Sequence, residues 1–163
     1  MQIRTFLPQD REAVLALVSD FYNSPACLHA IPVQNFADAF DEMAADRGLL
    51  RGLALLDKDQ LCGYCQLAFT YSTEAGGPVV LLEELYLRPD CRGRGLGEKL
   101  MRFGFAQASE RHLAGVRIDT WVGNEPGLRL YHRLGYRDAG VLEQDVHYSG
   151  DRMAYQFLEW YGE

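Results

Sequence analysis

The 163-residue sequence has no apolar run long enough to span a bilayer: Val79 to Leu82 is four residues and Ala13 to Val18 six, whereas a membrane helix needs about 20. It lacks a leader pattern at its start, because Asp10, Arg11 and Glu12 arrive before any sustained apolar stretch. These two absences give the expectation of a cytoplasmic protein with no membrane partner. A basic excess is also missing. The formal net charge is −7, which argues against nucleic acid, whose phosphates need a basic face, and leaves room for cationic small molecules.

Cysteine is sparse: Cys27, Cys62, Cys65 and Cys91 are the whole set. Without a leader they are expected as thiols. Cys62-Gly63-Tyr64-Cys65 has metal or redox spacing but falls in an expected strand. Residues three apart on a strand face opposite sides, so the sulfurs should diverge. There is no second cysteine pair, and His29, His112, His132 and His147 show no ligand spacing, so no metal is expected. Repeats, low-complexity tracts and linkers are absent, and residues 1–163 read as a single domain.

What is present is a regular alternation of elements. Ile3 to Phe6 reads as a strand. A helix starts at Pro8 and carries Ala13, Val14, Leu17, Val18 and Phe21 at helical spacing until Asn23-Ser24-Pro25. A second helix spans Val33 to Ala45, with Phe36, Ala39, Phe40 and Met43 on one face and Gly48 after it. Arg51 to Leu56 and Leu61 to Tyr71 form a hairpin about the polar turn Asp57-Lys58-Asp59. Pro78 to Leu87 is an apolar strand interrupted by Glu83 and Glu84, and Pro89 ends it. A glycine-rich turn leads into a helix reaching about Arg111. Gly115 to Val122 is a strand and Gly127 to Leu134 a short helix. Strands Ala139 to Val146 and Arg152 to Trp160 are joined at Ser149-Gly150-Asp151. The order β-α-α-β-β-β-α-β-α-β-β describes one mixed α/β domain.

The turn Arg92-Gly93-Arg94-Gly95-Leu96-Gly97 is suited to hold an anion. Glycines let the backbone approach and gather N–H groups about one point, and the following helix adds the positive end of its dipole. Glu98-Lys99-Leu100 rules out a Walker A loop, which needs Lys-Ser/Thr there. The third glycine comes one residue too early for a dinucleotide fingerprint. A plain strand-to-helix turn stays open at this point.

Two segments together resemble the GNAT acetyltransferases. Arg92-x-x-Gly95-x-Gly97, after a strand ending Leu87-Arg88-Pro89, is similar to that family's pyrophosphate signature. Asn124-Glu125-Pro126, Leu130-Tyr131 and Leu134-Gly135-Tyr136 resemble its Asn…Leu-Tyr…Gly-Phe segment. Within the family, Tyr71-Ser72-Thr73 and Val80-Leu81-Leu82-Glu83-Glu84-Leu85-Tyr86-Leu87 resemble the diamine (spermidine/spermine) branch, which the N-terminal third matches poorly.

The resemblance implies a GNAT fold, a mixed and largely antiparallel sheet of about seven strands flanked by about four helices. It implies acetyl-CoA as co-substrate and transfer of an acetyl group to a primary amine by direct attack on the thioester. Leu85, Tyr86 and Leu87 would run beside the pantetheine arm. Arg92, Gly93, Arg94, Gly95, Leu96, Gly97 and Glu98 would hold the pyrophosphate, with Asn124 and Pro126 fixing the cofactor further along. Tyr131 would be the general acid, since a phenol with a pKa of about 10 donates to a thiolate without prior ionisation. Glu83 would be the base and Glu84 a cation contact. Adjacent strand residues face opposite ways, so at most one of the two should enter a given cleft. Salt bridges to Arg88 or Arg117 are the bland alternative for these acids. Arg117, Asp119 and Trp121 on the next strand would line the acceptor site. Competing functions are acetylation of a protein or peptide and a non-catalytic acyl-CoA sensor. Acceptor choice in the family lies largely with the first two helices and their loop, here Phe21 to Ala45, which includes His29. Relatives are often homodimers, and the exposed edge of a C-terminal strand is a place to pair.

Overall fold

Two tight turns organise the middle of the chain. A computed structural model describes residues 1–24, 27, 31–109, 112–145 and 152–160. Strand β2 (Leu50–Asp57) returns as β3 (Gln60–Ser72) through Lys58 and Asp59, both at positive φ (+50° and +65°). That backbone suits a two-residue hairpin, whose twist matches the strands. Strand β3 turns again at residues 73–76, where the Gly76 amide donates to Thr73 O (3.3 Å), and pairs with β4 (Gly77–Leu87).

The remaining elements flank this meander. They are β1 (Gln2–Thr5), α1 (Arg11–Tyr22), α2 (Val33–Ala44), α3 (Leu96–Ser109), β5 (Gly115–Trp121), α4 (Glu125–Arg133), β6 (Arg137–Asp145) and β7 (Arg152–Trp160). Single 3₁₀ turns lie at Pro8–Asp10 and Pro89–Cys91. One seven-stranded sheet runs β1-β2-β3-β4-β5-β7-β6, and every neighbouring pair is antiparallel except β4 with β5. The free edges are therefore β1 and β6, while β7 lies inside. Of the two C-terminal strands, only β6 offers an edge.

Helices cover both faces of the sheet. On one face α1 and α2 bury Val14, Leu17, Val18, Phe40 and Met43 against Phe6, Ala54, Tyr64 and Tyr86. On the other, Leu96, Leu100 and Met101 of α3 and Tyr131 of α4 meet Leu53, Leu55, Leu67, Val80 and Leu82. Each fully buried leucine contributes about 1.5–3 kcal/mol of transfer free energy. The helix placed at Gly127 begins two residues earlier, at Glu125, because Asn124 caps it: its side chain accepts from the Gly127 amide (3.2 Å). Among the described residues no helix is long and apolar enough to cross a membrane. His29, the joint at Ser149-Gly150-Asp151 and the C-terminal limit of the helix expected to reach Arg111 lie outside the described residues.

Two bulges change which side residues face. In β3, Leu55 pairs with Gly63 and Leu56 with Leu61, leaving Cys62 as an extra residue. Cys62 and Cys65 consequently share one buried cluster instead of facing apart. Cys91 lies in the same cluster, and burial, then the neighbouring Cys62 thiol, push the Cys91 thiol up to about 11. The second bulge is in β4. Gln66 pairs with Glu84 and Leu67 with Leu82, leaving Glu83 over.

Candidate active site

The β4 bulge coincides with an opening in the sheet. Pairing of β4 with β5 runs only from Val79–Gly115 to Leu82–Ile118. Beyond it, β4 stays with β3 through Leu87, and β5 stays with β7 through Trp121. The two parallel strands thus part at Glu83 and make a fork that opens toward their C-terminal ends. Parting leaves the β4 edge from Glu83 to Leu87 without a strand partner on that side among the described residues, so backbone groups along it, apart from Leu87 O, are open to an extended ligand.

Both helix N-termini that follow the fork's strands lie at its open end. Strand β4 feeds α3 through Pro89–Cys91 and the glycine turn, and β5 feeds α4 through Asn124. Gly93 and Gly95 sit at φ +73° and +70°, the left-handed region that glycine enters without a Cβ penalty. Gly97 lies inside α3, where a Cβ would make only ordinary contacts, 3.5 Å from Leu130. Leu96 is buried and anchors the helix start. Arg92 donates to Leu87 O (2.9 Å) and lies over the Tyr86 ring at 5.5 Å, so its head group sits beside the fork. Arg94 pairs with Asp57 (2.9 Å), and Glu98 with Arg102 (2.9 Å) and Arg133 (3.3 Å). Asn124 caps α4 and donates to Thr120 Oγ1 (2.9 Å), which ties that helix to β5, and Pro126 occupies its first turn. Amide groups at two helix N-termini, left-handed glycines and a nearby guanidinium fit a pyrophosphate.

The acids correct an expectation. Glu83 and Glu84 do not face opposite ways. Leu82 and Leu85 both meet the α3/α4 core, and the residues between them turn to the other side because the bulge breaks the alternation. Glu84 is half-buried and held from two elements: Tyr22 Oη of α1 donates to Oε1 (2.6 Å) and Tyr64 Oη of β3 to Oε2 (2.6 Å). Burial pushes its carboxyl up, and the two phenols pull it back. Glu83 is exposed by area yet low in the fork; desolvation, then Glu84 and Asp119, push it above the usual carboxylate range. Asp119 is raised by burial and pulled down by Arg117. Arg117 pairs with Glu159 (3.0 Å) and Glu74 (3.5 Å) and Arg88 with Asp90, so among the described residues neither arginine forms an ion pair with Glu83 or Glu84, the bland alternative for these acids. Trp121, 37% exposed, lies across Gly123 at the end of β5. Three carboxylates thus gather on the α1/α2 side of the fork, and among the described residues no cation pairs with Glu83 or Glu84.

Tyr131 stands on the opposite side. It is buried on α4 within the α3/α4 core. Burial, then Cys65, push its phenol up to about 12, so it remains a neutral proton donor through the physiological range. Cys65 pairs directly with Leu85 of β4, which brings the phenol's surroundings to the strand bordering the fork. The arrangement offers a proton acceptor on one side of an open strand edge and a proton donor on the other. Sequence reasoning gave a site role to neither Tyr64 nor Tyr22. An aromatic one residue past Phe21 carries no local sign that its hydroxyl meets an acid 62 positions away.

A sequence profile described as the acetyltransferase (GNAT) family matches residues 13–136. The pig thialysine N-epsilon-acetyltransferase is 32% identical over 83 residues, which cover 51% of this chain and 48% of that protein. The chain thus spans about half the length of the curated relatives it first matches. The ribosomal-protein-alanine N-acetyltransferase of Brucella melitensis superposes with a TM-score of 0.80 at 21% identity, covering 99% of both chains. The yncA acetyltransferase structure from Salmonella typhimurium, which contains acetyl-CoA as its cofactor, gives 0.77 at 18% identity over 99% of this chain and 93% of that one. At such identities the superpositions establish a shared fold.

Proposed function

The chain belongs to the acetyltransferase (GNAT) family, and from that premise we propose that it transfers the acetyl group of acetyl-CoA to a small cationic primary amine. The observation that carries the acceptor class is the group Glu83, Glu84 and Asp119 beside the fork, with no cation paired to the two glutamates among the described residues. Acetyl-CoA would supply the acyl group already activated as a thioester. The free edge of β4 at Leu85, Tyr86 and Leu87, and the amides from Gly93 to Glu98, would hold it. An alkylamine has a pKa of about 10.4 and arrives protonated. Glu83, with its carboxyl raised by partial burial and two acids, takes that proton directly or through one water. Glu84, held by two tyrosines, keeps its charge facing the ammonium, and Trp121 offers an aromatic face to the same cation. Tyr131 gives its proton to the departing sulfur.

Thiol release from acetyl-CoA with a panel of monoamines, diamines, free-N-terminus peptides and anionic acceptors tests this reading. Diamines should turn over best. Glu83→Gln should cost roughly 10²-fold, most at low pH, where free amine is scarce. A preference for peptides would favour the protein-acetylation alternative. Binding of acetyl-CoA with no thiol release from any acceptor would favour a sensor.

A further inference from the structure

The α3/α4 side of the sheet buries a polar atom that no described residue satisfies. Gly135, at φ +93°, turns the chain off the end of α4, and the Tyr136 amide then donates back to Tyr131 O (3.1 Å). That bond sets the two tyrosines side by side, with ring centres 6.2 Å apart at 60°. Phe105 of α3 closes the far side of Tyr136 at 5.8 Å. Tyr136 is 4% exposed and Tyr131 6%, so neither phenol is bathed in water. The Tyr136 hydroxyl has no hydrogen-bond partner among the described residues.

A buried, unpaired hydroxyl destabilises a fold, and phenylalanine would fill the same space without that loss. Phenylalanine is also what the resembled motif carries after its glycine. The surroundings of the odd hydroxyl are those of the acid. Besides Tyr131, the polar group that Tyr136 feels is Cys65, the residue opposite Leu85 and the one that Tyr131 feels as well. Both phenols therefore back onto the same stretch of β4 that borders the fork.

We propose that Tyr136 is a positioning residue for Tyr131: in the loaded site its hydroxyl donates to Tyr131 Oη, directly or through one water, and steadies the phenol that protonates the leaving sulfur. The proposal rests on the acetyltransfer reading above. In that step the carbon–sulfur bond breaks with its electron pair going to sulfur. The Tyr131 O–H proton forms the new S–H bond, and the negative charge is left on Tyr131 Oη. Tyr136 keeps its own proton and shares it with that oxygen until solvent restores the Tyr131 proton. Such a donation strengthens as charge develops, so it raises turnover more than it tightens cofactor binding.

Tyr136→Phe is the test, because it removes one oxygen and keeps the ring. The ligand-free variant should melt about 2–4 °C above wild type, since the unpaired hydroxyl is gone. That lead should narrow at saturating CoA, where the wild-type hydroxyl gains its partner. Turnover should fall about three- to tenfold with the Michaelis constant for acetyl-CoA nearly unchanged, and in a Tyr131→Phe background the same change should cost nothing further. The proposal is overturned if the melting lead persists undiminished with CoA, if turnover stays at the wild-type value, or if the loss is the same without Tyr131. Absence of thiol release from wild type with every acceptor would instead sink the acetyltransfer reading, while the paired melts still report on the two phenols.

Discussion

The two faces of β4 treat buried polar groups in opposite ways. On the α1/α2 face, Glu84 has each carboxylate oxygen met by a tyrosine hydroxyl from a different element. On the α3/α4 face, Tyr131 and Tyr136 sit among leucines, and the Tyr136 hydroxyl has no partner among the described residues. The first arrangement keeps a negative charge in place and still has lone pairs to offer a cation. The second withholds water from a neutral donor, so its proton is kept for whatever base comes within reach. One strand separates a side suited to receive a cation from a side suited to give a proton, and the extra residue Glu83 is what assigns Glu84 to the first and Leu85 to the second.

The sharpest way to break this contrast is on the giving side. Tyr131→Phe should lower turnover by roughly 10²–10⁴-fold, the usual worth of a positioned acid, with the melting temperature and the Michaelis constant for acetyl-CoA little altered. An unchanged turnover number would remove Tyr131 from the chemistry and leave the two faces without a functional difference.

The receiving side should respond in stability and in its dependence on pH. The folded pKa of Glu84 lies above its unfolded value because burial outweighs the two hydrogen bonds. Its protonated form therefore favours the fold: that stability is complete below the unfolded value of about 4.3 and is lost as pH rises through the folded value. Tyr64→Phe removes one donor and raises the folded value further. The variant should lose about 1.5–3 kcal/mol at pH 8, typical of a hydrogen bond to a charged group, and noticeably less at pH 5. Denaturant titrations at the two pH values measure this, and an equal loss at both would show that Tyr64 does not tune Glu84.

The smallest expected effect lies at the glycine turn that joins β4 to α3. Gly95→Ala places a Cβ at φ +70° with no atom within 4 Å of it, so its cost is backbone strain of about 1–2 kcal/mol. The Michaelis constant for acetyl-CoA should rise and that for the amine should not. A rise for the amine instead would mean that the loop reaches the acceptor side.

Element order and most limits were legible in the sequence because periodicity and Gly or Pro stops are local. The helix at Val33 ends within one residue of its expected limit, and the hairpin turns at Lys58-Asp59 as its polar residues suggest. The two bulges were not legible. Nothing in Leu61-Cys62-Gly63 or in Leu82-Glu83-Glu84 marks an extra residue, since a bulge is defined by the partner strand's register. That is why Cys62 and Cys65 share a cluster, and why Glu83 and Glu84 turn to one side, against the simple alternation of a strand. The placement of β7 between β5 and β6 escaped for the same reason, being a long-range pairing with no local trace. Tyr131, by contrast, could be nominated because its motif is contiguous and its spacing from Asn124 is fixed by one short helix.

The opening in the sheet also bears on the order in which the molecule comes together. From Leu50 to Leu87 the strands meet through tight turns, and such sequence-local contacts form with little loss of chain entropy. Strands β4 and β5 meet only after the whole of α3 has intervened, and they share just four residue pairs. The meander carrying Tyr64, Glu83 and Glu84 is therefore the natural nucleus, with β5 and its partners docking late. Changes at the Val79–Gly115 to Leu82–Ile118 contacts should then quicken unfolding and scarcely touch refolding. On this account the cleft that would admit a ligand would also be the seam along which the chain first parts.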